Sequence, residues 1–359
     1  MKWTIIGVVV ALVLAGGVLG AYFLGWLKFG EPESKPTLTM AYTPRPSEAP
    51  VWTPTPGPPL KPQWPLSGVR GDIAEHPALV VKVENAPESR PQDGLEYADI
   101  VFEEMVEGGI SRLVAVFHST VPAQIAPIRS IRPMDGPIAA WTRGLMIFSG
   151  GQYPYVARAE NDGLQIISMD YGADGFSRVD GRPSPHDVAG DTAAFFAQAD
   201  GDHQVSPPAF AVFVEQGGAG TAQIQGTVTT QVSTQFSYMA LPSWTWDSAS
   251  ATWLRFEDGE PAMTYAGPQI SAKNVIVLTV SVVYTSQADA AGSSVPESIV
   301  VGEGTGVVAS GPMTAAITWR HDSETAPWQF FGPNGAPLEL LPGNTWVELV
   351  PDSGSWSVS

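Results

Sequence analysis

Hydrophobic and polar positions along the chain divide it into three regimes. From Thr4 to Leu27 the run TIIGVVVALVLAGGVLGAYFLGWL carries no charge and is bounded by Lys2 and Lys28. At 1.5 Å per residue it covers ~36 Å, enough to cross a ~30 Å hydrocarbon layer with some tilt. Cleaved signal peptides have an apolar stretch of about 7 to 15 residues, so this length predicts a retained anchor over residues 1–30 that meets the lipid bilayer through residues 4–27. Tyr22 and Trp26 suit the interfacial belt of such a span. Residues 31–66 follow with closely spaced prolines, as in TPTPGPPLKPQWP, which forbid helix and central strand and predict an extended Pro-rich linker; charge leaves open which side of the membrane it lies on.

The patterning of a folded body begins near Val69. Strand-like runs (LVVKVEN, DIVFEEMVE, ISRLVAVFH, GLMIFSGG, LQIISMD) alternate with helix-compatible stretches around 134–143, 153–161 and 191–199. That alternation predicts a mixed α/β domain over 67–204. Beyond it, NVIVLTVSVVY, AAITWRH and TWVELV are separated by turn signals at Asp258-Gly259, Pro333-Asn334-Gly335 and Pro342-Gly343-Asn344. They predict a mainly antiparallel β domain over 205–359. The expected fold class is therefore α+β, two folded domains on one N-terminal transmembrane helix.

Composition narrows the chemistry. The 359 residues include no cysteine, which excludes disulfide scaffolds, zinc knuckles and thiol catalysis. Acidic residues outnumber basic ones by 36 to 18, for a net charge of −18. A body this acidic repels phosphate backbones over a Debye length of roughly 8 Å, so nucleic acid is not an expected partner. The basic residues are unevenly placed: after residue 200 only Arg255, Lys273 and Arg320 remain.

The segment Asp99–His118 concentrates chemistry. Gly108-Gly109 suits a two-residue hairpin turn, which would pair Glu107 with Ile110 and Met105 with Arg112. Alternation then sets Glu103, Glu107 and Arg112 on one face, and the opposite face is apolar except for Glu104. A second cluster, Pro127-Ile128-Arg129-Ser130-Ile131-Arg132-Pro133, holds two arginines three apart around a hydroxyl. Arginine is the side chain suited to planar, bidentate capture of carboxylate or phosphate. Ser149-Gly150-Gly151, after a strand, offers backbone amides that could hold an anion. Arg178 to His186 forms a proline-braced polar loop with two more arginines and a histidine. Each cluster also has a plain reading, in which every arginine pairs with a local carboxylate.

Taken in order, NAPESRPQDGLEYADIVFEEMVEGGISRLVAVF, APIRSIRP and the loop ending SPHDV resemble the N-terminal domain of the YerB-like family of bacterial envelope lipoproteins, a domain of unknown function. SAKNVIVLTV, GTGVV, ITWRH and PLELLPGNTWVELVP are similar to that family's C-terminal domain. The resemblance implies an extracytoplasmic body on the cell membrane. It singles out a candidate ligand-binding set of Asn85, Arg90, Glu103, Glu107, Arg112, Arg129, Ser130, Arg132 and His186, with Pro91, Gln92, Gly94, Gly108 and Gly109, and leaves Glu104 aside. Two departures stand out. Leu14-Ala15-Gly16 is followed by Gly17 where a lipoprotein has cysteine, so the span itself must serve as anchor. His186 is followed by Asp187 where asparagine is expected.

The leading expectation is a binding protein whose arginines, framed by Glu103 and Glu107, take an anionic wall polymer, lipid head group or protein partner, with no cofactor, no metal and no catalytic residue assigned. The alternative is an enzyme. SIRPMD resembles the arginine-lined site of LytR-CpsA-Psr phosphotransferases, where Arg112, Arg129 and Arg132 would clamp a pyrophosphate and Glu103 or Glu107 would act as base or magnesium ligand. A third expectation gives partner binding to Trp244, Trp246, Trp253, Trp319, Trp328 and Trp346, stacked on sugars.

Overall fold

The apolar runs of the N-terminal half become strands β1 (Leu79–Glu84), β2 (Ile100–Met105), β3 (Ser111–Phe117), β4 (Leu145–Phe148) and β5 (Gln165–Ser168). The computed structural model describes residues 60–289 and 292–359. The expected span at 4–27 and most of the Pro-rich linker lie outside the described residues. Among the described residues no helix is long and apolar enough to cross a membrane.

Helices α1 (Asp135–Ala139), α2 (Tyr153–Asn161) and α3 (Thr192–Phe196) lie within the three helix-compatible stretches. Pro154 in the first turn of α2 and Arg158 in its last match the polarity of the helix, which buries Tyr155, Val156 and Ala159. Asp191 caps α3 by accepting from the Ala193 and Ala194 amides. The C-terminal half supplies β6 (Gln231–Gln235), β7 (Pro242–Asp247), β8 (Thr252–Glu257), β9 (Asn274–Ala288), β10 (Gly302–Ser310), β11 (Met313–His321), β12 (Thr345–Pro351) and β13 (Ser355–Val358).

One 12-stranded sheet runs through both halves in the order Thr227–Val228, β11, β10, β9, β12, β2, β3, β1, β4, β5, with Ser294–Ile299 paired to β9 and Gln329–Phe331 to β11. Strand β12 lies between β9 and β2, parallel to both. Every residue of β12 is buried, as expected for a strand covered on both faces. The two compositional halves thus share a single hydrogen-bonded sheet. Because β3 is antiparallel to β1 and β2 while β1, β4 and β5 are parallel, β1, β2, β4, β5, β9 and β12 all point one way. Their carboxyl ends form one edge, the place where open α/β sheets hold ligands.

Alternation assigns the two faces. One carries Val80, Phe102, Val114 and Leu278 under α1, α2, Trp141, Phe210 and Trp328. The other carries Val83, Val101, Leu113, Val275 and Trp346 against a second sheet ordered Glu260–Pro261, β8, β7, β6, β13. Five of the six tryptophans expected to stack on sugars (Trp244, Trp253, Trp319, Trp328 and Trp346) are buried in these cores. Trp246 is half-buried and packs edge-on against Trp253. Burial of a large indole outweighs its use as an exposed platform here.

The β2–β3 turn corrects the expected hairpin. The Val106 N–H donates to the Ile110 carbonyl at 2.8 Å, and Glu107–Gly109 form one tight 3-10 turn with Gly108 and Gly109 at φ 73° and 75°. The loop is thus one residue longer than two, because Glu107 belongs to the turn and not to the strand. Register shifts by one: Glu104 lies opposite Arg112, and Met105 opposite Ser111. A one-residue slip exchanges faces, so Glu103 and Arg112 project to opposite sides of the sheet.

The seam between β2 and β12 yields a first prediction. A fragment of residues 60–205 leaves the β2 edge open and should show no cooperative thermal transition by circular dichroism, whereas 60–359 should melt in one. A sharp, protein-like melt of the short fragment would show that the seam is dispensable.

Candidate functional site

On the helix-covered face, the carboxyl end of β1 delivers Glu84 into a cluster of cations. The segment after Pro127 docks along β1: the Glu84 amide donates to the Pro127 carbonyl at 3.0 Å and the Arg129 amide to the Lys82 carbonyl at 2.8 Å. This places Arg129 Nε 3.0 Å from Glu84 Oε2. His186 Nδ1 reaches the same oxygen at 2.8 Å. Arg132 turns the other way, its Nε 2.7 Å from Glu107 Oε1 in the β2–β3 turn. The Arg132 amide donates to Asp135 Oδ2 at 2.7 Å, which fixes the start of α1.

Arg112 sits beside both arginines and is poorly partnered. The residue is 5 % exposed. Its nearest carboxylate oxygen, Glu84 Oε1, is 3.8 Å away, and its Nη1 contact with the Ser130 carbonyl is long at 3.5 Å. The buried Nε has no hydrogen-bond partner. Burial and the charge of Arg132 lower its pKa to about 10 despite Glu84 and Glu107. Three guanidinium groups therefore face two carboxylates, leaving local positive charge inside an acidic protein. A buried, incompletely bonded cation is costly unless something completes its shell.

Beneath the cluster, Lys82 Nζ contacts Glu104 and lies 2.7 Å from Asp135 Oδ1, all three side chains fully buried. Burial and the Asp135 charge push the Glu104 carboxyl well above its ordinary range, with Lys82 opposing.

The opposite face holds a second polar assembly with a different character. Arg255 of β8, 1 % exposed, donates to Glu103 at 2.5 Å, Glu257 at 2.6 Å and Glu348 at 3.0 Å. Its guanidinium lies 4.4 Å from the Trp346 ring centre and 5.2 Å from that of Trp244. Asn85 donates to Ser111 at 2.9 Å and to Glu257 at 3.2 Å, Arg90 holds the Asn85 carbonyl at 2.8 Å, and Gln92 holds the Asn85 side chain at 2.8 Å. Burial raises and Arg255 lowers the Glu103 pKa, with a net fall, while burial and the Glu103 charge hold Glu348 well above the usual range. Glu348 lies directly across the parallel pair from Glu103.

The sheet thus divides the nine residues singled out in the sequence. Glu107, Arg112, Arg129, Ser130, Arg132 and His186 gather around Glu84; Asn85, Arg90 and Glu103 belong to the Arg255 assembly. Lys82, Glu84, Asp135, Arg255, Glu257 and Glu348 were missed, as was the place of Glu104. The 178–186 loop is pinned to the body: Arg182 donates to the Pro91 carbonyl at 2.5 Å, and Asp187 pairs with Arg178, a use for the acid found where asparagine was expected. At the Ser149–Gly151 turn, the Ser149 amide already donates to the Arg129 carbonyl at 3.1 Å, and the Asp170 carboxylate packs so close to Gly150 that a side chain there would clash. One of the amides expected to hold an anion at that turn is therefore already engaged.

Comparison with known proteins places this architecture. Residues 66–205 match the N-terminal domain, and residues 232–347 the C-terminal domain, of the family described as protein of unknown function DUF3048. The chain belongs to this family. It is similar to YerB, a candidate lipoprotein of Bacillus subtilis (strain 168), with 23% identity over 302 residues, covering 82% of this chain and 88% of that protein. The crystal structure of YerB from Bacillus subtilis superposes with a TM-score of 0.69 at 21% identity, covering 83% of this chain and 100% of the other. The arginine cluster lies wholly within the first matched domain, and the Arg255 assembly draws on both and on Glu348, one residue past the second.

Two stability predictions follow from the buried groups. Arg255→Met strands Glu103 and Glu257 without their cation and should cost about 3–5 kcal/mol in urea denaturation; a loss under about 1 kcal/mol would show the assembly to be inessential. Glu348→Gln imitates the protonated acid. In the wild type the unfolded carboxyl ionises above its ordinary value of 4.5 while the folded one keeps its proton, so stability is drawn down as pH rises. The variant should gain on the wild type steadily from about pH 5 to pH 8, and a constant difference would mean that Glu348 is ionised in the fold.

Proposed function

We propose that the protein is an envelope-associated binding protein in which Arg112, Arg129 and Arg132 recognise an anionic group on a wall polymer, a lipid head group or a protein partner. The observation that carries this reading is the buried Arg112 guanidinium, whose Nε is unpartnered and whose nearest carboxylate oxygen is 3.8 Å away. A phosphate or carboxylate seated between Arg112 and Arg129 would complete the missing bonds, and Glu84 and Glu107 hold the outer arginines in place until it arrives. The position at the carboxyl edge of the parallel strands supports the same reading. Envelope association rests on the likeness to a candidate lipoprotein and on the apolar run at 4–27, which together support a single-pass membrane protein with its body outside the cytoplasm.

The phosphotransferase alternative needs Glu103 or Glu107 free beside the arginines. Glu103 lies on the other face, bonded to Arg255, and Glu107 is engaged by Arg132. Binding is the reading that the geometry favours.

Calorimetric titration of residues 60–359 with inorganic pyrophosphate tests the proposal. The Arg129→Ala/Arg132→Ala double variant should lose at least about tenfold in affinity, the scale of a lost charge-assisted pair. Its melting midpoint should fall with the transition still cooperative, because the nearly buried Glu84 and Glu107 lose cations that are 24 % and 11 % exposed. Unchanged binding, or collapse of the fold, would return the cluster to a purely structural role.

A further inference from the structure

An exposed apolar tip continues the arginine cluster, and we infer from this that the ligand is an amphiphile, a phosphate or diphosphate head joined to an apolar chain. The inference rests on the anion-binding reading above. Strands β6 and β7 are joined by a tight turn in which Ser237 pairs with Ala240 and the Phe236 amide donates to the Ala240 carbonyl at 3.1 Å. Its tip presents Tyr238 at 81 % exposure and Met239 at 44 %, with Leu241 beside them at 42 %. Hydrogen bonds among Phe236, Ser237, Met239 and Ala240 hold the turn, so polar side chains would serve the fold equally well. Adjacent large apolar side chains left in water mark a surface that meets something apolar.

The tip is tied to the arginine cluster. Ser237 Oγ donates to the Gly109 carbonyl at 2.5 Å. Gly109 closes the same three-residue turn that opens with Glu107, the carboxylate holding Arg132. Between them Gly108 is exposed, and a Cβ built on it would meet nothing within 4 Å. A chain leaving the arginines can therefore cross bare backbone to reach Tyr238 and Met239. No charged residue occurs from Gln216 to Trp246, so the tip itself adds no negative charge to repel an anionic head. The head group thus meets the arginines beside the turn, and the chain its apolar flank.

The test compares inorganic pyrophosphate with farnesyl diphosphate, below its micellar concentration, on residues 60–359. Farnesyl diphosphate should bind at least about tenfold tighter, the gain from burying roughly two methylene groups. Tyr238→Ser/Met239→Ser should erase that gain while leaving pyrophosphate affinity unchanged; Arg129→Ala/Arg132→Ala should weaken both probes. Flotation with phosphatidylglycerol vesicles separates a bilayer-embedded lipid from a free one: capture dependent on both sites supports the former, and farnesyl diphosphate binding without capture supports the latter. Equal affinity for the two probes, or an unaltered farnesyl gain in the tip variant, overturns the amphiphile and leaves the anion site standing. Absence of binding by either probe overturns both. Loss of self-association in the tip variant, seen by sedimentation with probe affinities unchanged, would make the tip a contact between copies and overturn the inference.

Discussion

A guanidinium taken fully out of water must have its whole charge and all its donors answered by protein, and the body is organised around one that is. Arg255 receives carboxylates from β2, β8 and β12 and the ring faces of Trp244 and Trp346. Because those groups come from both halves of the chain and from both sheets, the interaction fixes sheet register, packing of the second sheet and the seam at once. Displacing any contributor would leave a charge in a low-dielectric core, a far larger penalty than any surface pair could offset. Arg255 holds the Glu103 carboxyl below its ordinary range, while burial and the Glu103 charge raise that of Glu348 well above it. Arg90, 3.2 Å from Glu257, adds a second cation, so the three acids do not stand against Arg255 alone.

The contrast with the other face gives the cluster around Glu84 its meaning. Both assemblies are built from arginine and glutamate, but their arginines differ. At Arg255 each nitrogen has a partner within ordinary hydrogen-bond distance; at Arg112 the nearest carboxylate is too distant for one and Nε has none. Polar networks that are only partly satisfied are unfavourable for folding. The proposed anion would supply the bonds that Arg112 lacks.

Much of the architecture was legible because periodicity reports burial directly. LVVKVE, LMIF and TWVELV could only be strands, and the three helices fell where apolar spacing put them. The site was legible in composition and misjudged in geometry. Arg112, Arg129, Arg132 and His186 drew notice as cations in an acidic chain, but their carboxylate partner Glu84 ends a strand whose charge looked incidental. A single residue decided the rest: with Glu107 in the turn, Glu103 moved to the opposite face and Glu104 to the buried lysine. The buried charges had a signal of their own. Glu348 stands alone in an apolar strand, while Lys82 and Arg255 each share a strand with one glutamate two residues on, and a charge so placed must find its counter-ion in the core. Which counter-ion it finds depends on long-range pairing, which local pattern does not encode.

The insertion of β12 beside β2 also sets a timetable. Nearly the whole folded body separates these two strands in the chain, so the central ladder closes only after the last of it has been made. At bacterial elongation rates that interval is on the order of tens of seconds. Throughout it, β2 keeps an unsatisfied backbone edge, and Glu103 waits for the β8 cation that will answer it.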